Sequence, residues 1–90
     1  MELEQLRIFI AVAEEKGFSA GARKLYISHS TTSRAVSALE DELGVRLIER
    51  DNHIAGLTPA GELLLREARN IITLSDGLKD KLSAVVENER

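Results

Sequence analysis

The segment from Ser28 to Arg34, SHSTTSR, concentrates side chains that can hydrogen-bond to phosphate groups or to the edges of bases. Its hydroxyl groups donate and accept hydrogen bonds, and its arginine can bind guanine O6 and N7, or a phosphate, through two N–H groups. Small side chains also allow a helix to lie close to the surface that it reads. The segment predicts a nucleic-acid contact made by Ser28, His29, Ser30, Thr31, Ser33 and Arg34, with Ser37 one turn further on.

Other chemistries lack the residues that they need. The chain has no cysteine, and neither His29 nor His53 has a cysteine or a second histidine at metal-ligand spacing, so no metal site is expected. The six glycines are scattered, so no phosphate-binding loop of the P-loop or dinucleotide type is present. The carboxylates Glu62 and Glu67 belong to a solvated helix face. The sequence therefore predicts neither an enzyme nor a bound cofactor.

The distribution of charge favours a nucleic-acid partner more than the total does. The 90 residues carry a net charge of −3, but residues 16–39 contain Lys16, Arg23, Lys24 and Arg34 and no acid. One contiguous cationic segment thus lies within an acidic chain. The absence of cysteine suits a reducing cytosol, and the longest apolar run, IFIAVA, is too short to span a bilayer. We expect a cytoplasmic protein that does not bind membranes.

Three helices are expected in the first half of the chain. Leu3 to Ala13 follow the spacing of one helical face, and Gly17 is expected to end that helix in the left-handed conformation. Ser19 is expected to cap a short second helix over residues 20–26. Ser28 then caps a third helix, which ends at Gly44. The connection from Tyr26 to Ser28 is about three residues long, as in a helix-turn-helix.

In a helix-turn-helix, the N-terminal turns of the second helix of the motif enter the major groove. That placement would present the SHSTTSR segment to base edges. The amide ends of the helices behind Ser19 and Ser28 are also suited to backbone phosphates. The competing explanation is a long capping segment on a solvated face with no DNA partner. The absence of acids around the segment favours the first interpretation.

The segment after Gly44 predicts a small β-hairpin. Val45, Leu47 and Ile48 begin a short strand, RDNH has the residue types of a turn, and IAGL returns the chain. Thr58 and Pro59 then provide the N-cap and first position of a last helix, which runs to about Asn88.

The last helix is too long for the domain that precedes it. Thirty residues make a rod of about 45 Å, whereas the first 58 residues would have a radius of gyration of only about 10 Å. Its apolar positions form a heptad seam that predicts pairing with a second copy of the chain. The seam consists of Leu64, Ala68, Ile71, Ser75, Leu78, Leu82 and Val85.

From Leu3 to about Ile72 the chain resembles the DNA-binding domain of LysR-type transcriptional regulators. The matching segments are LRIFIAVAEEKGFSAGARKLYIS, TSRAVSALEDELGVRLIER and LTPAGELLL. The resemblance implies a mainly α winged helix-turn-helix, with three helices and a β-hairpin wing, followed by a linker helix through which the chain dimerises. It also implies a C-terminal domain that binds a small-molecule effector and is absent from this chain. Higher oligomers of the full-length protein are compatible with the resemblance.

The resemblance also assigns roles by position. Ser33 and Arg34 match the Ser-Arg pair that lies near DNA, whereas His29 and Ser30 replace the usual Gln-Pro or Gln-Ser. Arg50 matches the arginine that ends the first strand of the wing. His53 stands where many members have a wing arginine that enters the minor groove, so we expect pH-sensitive binding. Ile48 replaces the usual Phe, and Gly21 replaces an Ala, which is expected to weaken the second helix.

These observations predict a winged helix-turn-helix in residues 1–58 and a linker or dimerisation helix in residues 59–90. The expected partners are double-stranded DNA, with the third helix in the major groove and the wing toward the minor groove, and a second copy of the chain. The alternative is a dimerisation or protein-interaction module that uses the same long helix but does not bind DNA. The salt dependence of DNA binding distinguishes the two.

Overall fold

The computed structural model describes residues 1–49 and 56–89, which form four helices and one two-stranded antiparallel sheet. The elements in chain order are α1 (Leu3–Glu15), α2 (Phe18–Leu25), α3 (His29–Leu43), β1 (Ile48–Glu49), β2 (Gly56–Leu57) and α4 (Pro59–Asn88). The predicted mainly α architecture, with three helices, a small hairpin and a long last helix, is confirmed. Within the described ranges, no helix is both long and apolar enough to cross a membrane.

The connection between α1 and α2 differs from the prediction. Lys16, not Gly17, takes the left-handed conformation at the end of α1, with φ 57°, and Gly17 is extended, with φ 176°. Because only these two residues separate the helices, the chain turns one residue earlier than expected and α2 begins at Phe18. Ser19 is therefore the second residue of α2 and not its N-cap, a position that Gly17 occupies.

The helix-turn-helix junction follows the predicted pattern more closely. Tyr26 ends α2 in the left-handed conformation, with φ 57°, and Ile27 and Ser28 lead directly into α3. The Ser28 hydroxyl accepts the Thr31 N–H at 3.0 Å and caps α3 as expected. Gly44 ends α3 at φ 69°, where a residue with a Cβ would be strained, and its N–H donates to the Glu40 carbonyl at 2.9 Å.

The hairpin is present but its strands are short. Ile48 pairs with Leu57 and Glu49 with Gly56 in an antiparallel register. Val45 and Leu47 precede the strand rather than belonging to it. The predicted turn between the strands lies in residues 50–55, outside the described residues.

A single aliphatic core joins α1, α3, β1 and α4. Its buried members are Leu6, Ile8, Phe9, Val12, Val36, Leu39, Leu47, Ile48 and Ala68. At the α1–α2 crossing, a Cβ on Gly21 would lie 2.9 Å from both the Cα and the N of Val12. Gly21 therefore permits a close backbone approach between the two helices, which gives this glycine a packing role besides its low helix propensity.

The first turn of α4 is fastened to the segment before β1. Thr58 caps α4 by accepting the Gly61 N–H at 3.0 Å, and its hydroxyl donates to the Arg46 carbonyl at 2.6 Å. The Thr58 N–H donates to the Leu47 carbonyl at 3.0 Å. Gly61 is buried against that same carbonyl, where an added Cβ would lie only 2.0 Å from the oxygen. The Thr-Pro-Ala-Gly sequence thus combines a helix start with a site of close backbone contact.

Two ion pairs hold α4 against α1. The Arg7 guanidinium donates to the Asp76 carboxylate at 2.7 and 3.4 Å, and Arg69 donates to Glu14 at 2.9 Å. The hydrogen bond from Arg7 lowers the pKa of Asp76 below its ordinary value of 3.8. Beyond Asp76 the helix extends past the domain, and the molecule measures 57 × 26 × 19 Å.

Candidate nucleic-acid interface

The helix α3 has one face in the core and one face free. Thr32, Val36 and Leu39 are fully buried, and they anchor the helix against α1 and the rest of the core. Leu43, the last residue of α3, is 39% exposed because α3 reaches the edge of the domain there. The side chains at the front of α3 are consequently held on a rigid, well-anchored element.

The first turn of α3 is organised by a reciprocal pair of side chains. The Ser28 hydroxyl accepts the Thr31 N–H and donates its own proton to Thr31 Oγ1 at 2.8 Å. The Thr32 hydroxyl donates to the Ser28 carbonyl at 2.9 Å. Ser28 and Thr31 remain exposed, so the Thr31 hydroxyl proton stays available to an outside acceptor while the turn that carries it is fixed.

His29 and Ser30 project at the exposed start of α3. The His29 ring lies 6.1 Å from the Phe18 ring, centroid to centroid, with the two planes inclined at 47°. This contact connects the first residue of α3 to the first residue of α2. It restricts the directions in which the imidazole can point. The first residues of α2 and α3 therefore lie side by side on the same surface of the domain.

Arg34 provides the cationic group of the exposed α3 face. It is exposed, whereas Ser33 and Ser37 beside it are half-buried. Within residues 1–49 and 56–89, neither Arg34 nor Arg23 pairs with an acid, whereas Lys24 lies 3.5 Å from Glu15 and 3.8 Å from Glu14. Arg34 therefore keeps its charge available for an external anion, and Lys24 is largely neutralised by α1.

The start of α2 offers amide groups to the same region. Gly17 has no side chain that could cap the helix, and Ser19 lies exposed in the first turn. The N–H groups of a first helical turn have no partner within the helix and carry partial positive charge. Ser19 thus lies at an anion-compatible helix end, although as a helical residue and not as the cap.

Two predicted wing residues, Arg50 and His53, lie outside the described residues. The expectation of pH-sensitive binding through His53 stays a prediction. The described part of the wing, β1 and β2, joins α3 to α4 and sets the origin of the hairpin beside the C-terminal half of α3.

The predicted dimerisation seam divides into a buried and an exposed part. Ala68 is 0% exposed and packs into the core of its own domain, which corrects its assignment to a surface for a partner. Leu64 packs against the same core, and Ser75 is half-buried. The remaining predicted positions are exposed by 38–58%, and Leu63 and Leu74, outside the heptad series, are exposed by 52% and 64%. These four exposed seam residues are Ile71, Leu78, Leu82 and Val85.

Two residues important for this geometry were not predicted from sequence. Thr32, to which the sequence assigned no role, is fully buried, and its hydroxyl donates to the Ser28 carbonyl. Glu40 is 7% exposed and accepts hydrogen bonds from the backbone of the strand segment. Its position beside Leu39 on the inner face of α3 was the available signal. No group of three or more His, Cys, Asp or Glu side chains that could bind a metal occurs within the described ranges.

Comparison with known proteins identifies the same architecture. The family described as "Bacterial regulatory helix-turn-helix protein, lysR family" matches residues 3–62. The HTH-type transcriptional regulator TfdS of Cupriavidus pinatubonensis is 43% identical over 89 residues, which cover 99% of this chain and 30% of that protein. ClcR of Pseudomonas putida is 46% identical over 76 residues, 84% of this chain and 26% of ClcR. The chain thus spans under a third of the length of these relatives.

Solved structures agree in fold over nearly the whole chain. The crystal structure of the CbnR DNA-binding domain in complex with DNA superposes with a TM-score of 0.92 at 41% identity, covering 96% of this chain and 99% of that one. The complex of the BenM DNA-binding domain with catB site 1 DNA has a TM-score of 0.91 at 35% identity, covering 96% of each chain. With its helix-turn-helix, hairpin and long helix in the matching order, this chain belongs to the lysR family of bacterial regulatory helix-turn-helix proteins.

Proposed function

We propose that the chain binds double-stranded DNA as the DNA-binding part of a bacterial transcriptional regulator. The proposal rests on the exposed first half of α3, which presents hydroxyl groups and an Arg34 that pairs with no acid among residues 1–49 and 56–89, from a helix anchored by a buried face. The similar CbnR and BenM domains were solved in complex with DNA. In this arrangement α3 enters the major groove, and the hairpin lies toward the adjacent minor groove.

Each candidate residue has a place in that arrangement. Arg34 can bind guanine or a phosphate in a bidentate manner, and the small Ser33 and Ser37 leave room for α3 to approach. His29 and Ser30 lead the helix and would contribute to base preference. The amide ends of α2 and α3, near Ser19 and Ser28, would bind backbone phosphates. Arg50 and His53 complete the proposed set in the wing.

The proposed assembly is a homodimer through α4. The exposed residues Ile71, Leu74, Leu78, Leu82 and Val85 form an apolar stripe that continues onto the part of the helix beyond Asp76. A stripe of this length is unusual on a monomer and is readily covered by a second copy. We propose residues 1–58 as the DNA-reading unit and residues 59–90 as the linker and dimerisation helix.

The role of the complete regulator extends beyond this chain. Because the chain spans under a third of TfdS and ClcR, we propose that a small-molecule effector acts through the remaining part of the protein. Higher oligomers would also depend on that part. We propose that the protein acts in the cytoplasm, is not an enzyme, and needs no metal or cofactor for this function.

The decisive experiment compares Arg34→Ala with Arg66→Ala, a substitution that removes the same charge from an exposed site on α4 next to Glu67. Binding is measured by fluorescence anisotropy on duplexes selected by the wild-type chain from a random pool. Arg34→Ala is expected to weaken binding by about 5- to 150-fold and Arg66→Ala by far less, since a specific contact contributes about 1–3 kcal/mol.

Salt titration of the same complexes separates the proposal from the alternative module that does not bind DNA. Affinity for DNA should fall steeply with salt concentration as counterions are released, and the slope should decrease by about one if Arg34 binds a phosphate. Equal affinities of the wild-type chain and the Arg34→Ala variant would contradict the proposal, as would failure of the pool to yield any bound duplex.

A further inference from the structure

Glu40 is a buried carboxylate whose side chain bonds to backbone outside its own helix. It lies in the last two turns of α3 and is 7% exposed. Its Oε2 accepts the N–H of Leu47 at 2.9 Å and the N–H of Ile48 at 3.4 Å. Its Oε1 lies 3.8 Å from the guanidinium of Arg46. The side chain therefore reaches from α3 to the chain segment that enters β1.

The main chain of the same residue extends this attachment. The Glu40 carbonyl accepts the N–H groups of Gly44 at 2.9 Å and Val45 at 3.3 Å. One residue thus supplies acceptors to four N–H groups between Gly44 and Ile48. The bonds to Leu47 and Ile48 are buried, and a buried N–H group that loses its acceptor is strongly unfavourable, so the Glu40 carboxylate fixes the end of this segment to α3.

The opposite side of residues 44–48 is attached to α4. The carbonyls of Arg46 and Leu47 accept the hydroxyl and the N–H of Thr58, at 2.6 and 3.0 Å. Gly61 packs directly against the Leu47 carbonyl. The first turn of α4 is therefore tied to α3 through a five-residue segment that Glu40 holds on one side and Thr58 on the other, in addition to the direct packing of α4 against α1.

A small change in the direction of α4 has a large effect at its far end. A 30-residue helix is about 45 Å long, so a tilt of about 5° at its first turn moves its last turn by about 4 Å. Adjacent base pairs are about 3.4 Å apart, and dimeric helix-turn-helix proteins read half-sites separated by whole helical turns. A tilt of this size is thus comparable to a change of one base pair in half-site spacing.

We propose that Glu40 is a positioning residue that sets the orientation of α4 and the wing relative to the DNA-reading helix, and thereby the half-site spacing that the dimer accepts. The inference rests on the proposed DNA-binding dimer. It assigns Glu40 no contact with DNA: the carboxylate acts through the backbone of residues 44–48.

The test uses duplexes selected from a random pool by the wild-type chain, rebuilt with the half-sites one base pair closer and one or two base pairs further apart. The wild-type chain should prefer one spacing by about tenfold or more, since each step rotates and displaces one half-site. Glu40→Ala should reduce that preference to less than about threefold, because it removes the acceptor of two backbone N–H groups. Glu40→Gln should restore it, since the Gln Oε1 can accept the same two bonds.

Asp41→Ala is the matched control. Asp41 is the exposed neighbour of Glu40 on α3, and its removal changes the net charge by the same amount. Circular dichroism shows whether each variant is folded, and DNA binding is measured well below the unfolding temperature. If Glu40 only stabilises the fold, its replacement should lower the stability and leave the spacing preference intact. A Glu40→Ala variant that is folded and keeps the wild-type spacing preference would overturn the inference.

If Glu40→Ala does not fold, the same test is made at the other side of the segment. Thr58→Val removes both the bond to the Arg46 carbonyl and the cap on the Gly61 N–H, whereas Thr58→Ser keeps a hydroxyl for both. Loss of spacing preference in the valine variant and its retention in the serine variant would support the inference, and an unchanged preference in both would overturn it. Absence of DNA binding by the wild-type chain would instead refute the proposed function.

Discussion

Gly61 is the position where one added methyl group should have the largest effect on this fold. In Gly61→Ala the new Cβ would lie 2.0 Å from the Leu47 carbonyl oxygen, about 1 Å inside the closest approach that such atoms reach. The N-terminus of α4 must therefore move away from residues 46–47 by about that distance. A shift of this size breaks the two hydrogen bonds from Thr58, which are 2.6 and 3.0 Å long.

The expected loss of stability combines three contributions. Overpacking of a tight contact is unfavourable by about 1–3 kcal/mol, and two lost hydrogen bonds add about 1 kcal/mol each. The higher helix propensity of alanine returns up to about 1 kcal/mol. Gly61→Ala should therefore lower the free energy of unfolding by about 2–4 kcal/mol, or the unfolding temperature by about 10–25 °C for a domain of this size.

Gly77→Ala provides the matched control in the same helix. An added Cβ at Gly77 meets no atom within 4 Å, so only the helix propensity changes and stability should rise by up to about 1 kcal/mol. Thermal unfolding followed by circular dichroism, at one fixed protein concentration, measures both variants. If Gly61→Ala were as stable as the wild-type chain, the close contact with Leu47 would not be the reason for glycine at this position.

Two further predictions concern α4. The lowered pKa of Asp76 implies that its pair with Arg7 stabilises the fold above pH 3.8 and that this contribution is lost as the pH falls through the folded-state pKa. The free energy of unfolding of the wild-type chain and of Asp76→Asn can be measured in urea from about pH 6 to about pH 2. The difference between the two should shrink toward zero as the pH falls. A difference that stays constant would show that the ion pair is not its source. Leu74 is 64% exposed on the proposed dimer surface. Leu74→Glu should therefore raise the dimer dissociation constant, measured by sedimentation equilibrium, by about tenfold or more. A wild-type chain that stays monomeric at all concentrations would contradict the proposed dimer.

The helix starts that sequence analysis predicted correctly depend on contacts between near neighbours. Ser28 and Thr58 each bond to an N–H three residues ahead, so the signal and its effect lie within one helical turn. The bounds of α4 and the end of α3 at Gly44 follow from the same kind of local signal. The family resemblance then supplied the order of the elements, which the comparisons confirm.

Predictions that depended on the direction of packing were less accurate. The periodicity of α4 placed Ala68 and Leu78 in one seam, but Ala68 is buried by its own domain and Leu78 is exposed. Both are apolar at heptad spacing, and spacing alone does not show which core covers a side chain. The turn at Lys16 rather than Gly17 depended likewise on where α2 must begin to pack against α1.

The chemistry of the SHSTTSR segment could be predicted without the fold. Its residue types and the absence of acids around it identify the candidate DNA-reading surface, because side-chain chemistry and local helix periodicity are properties of the chain alone. Which of these groups reach solvent depends on how the helices pack: Thr32 is buried, whereas Arg34 is exposed. The position of Glu40 beside Leu39 places it on the inner face of α3, but its bonds to the backbone of residues 47 and 48 could not be predicted, since they exist only in the folded chain. Long-range hydrogen bonds form only where folding brings the segments together.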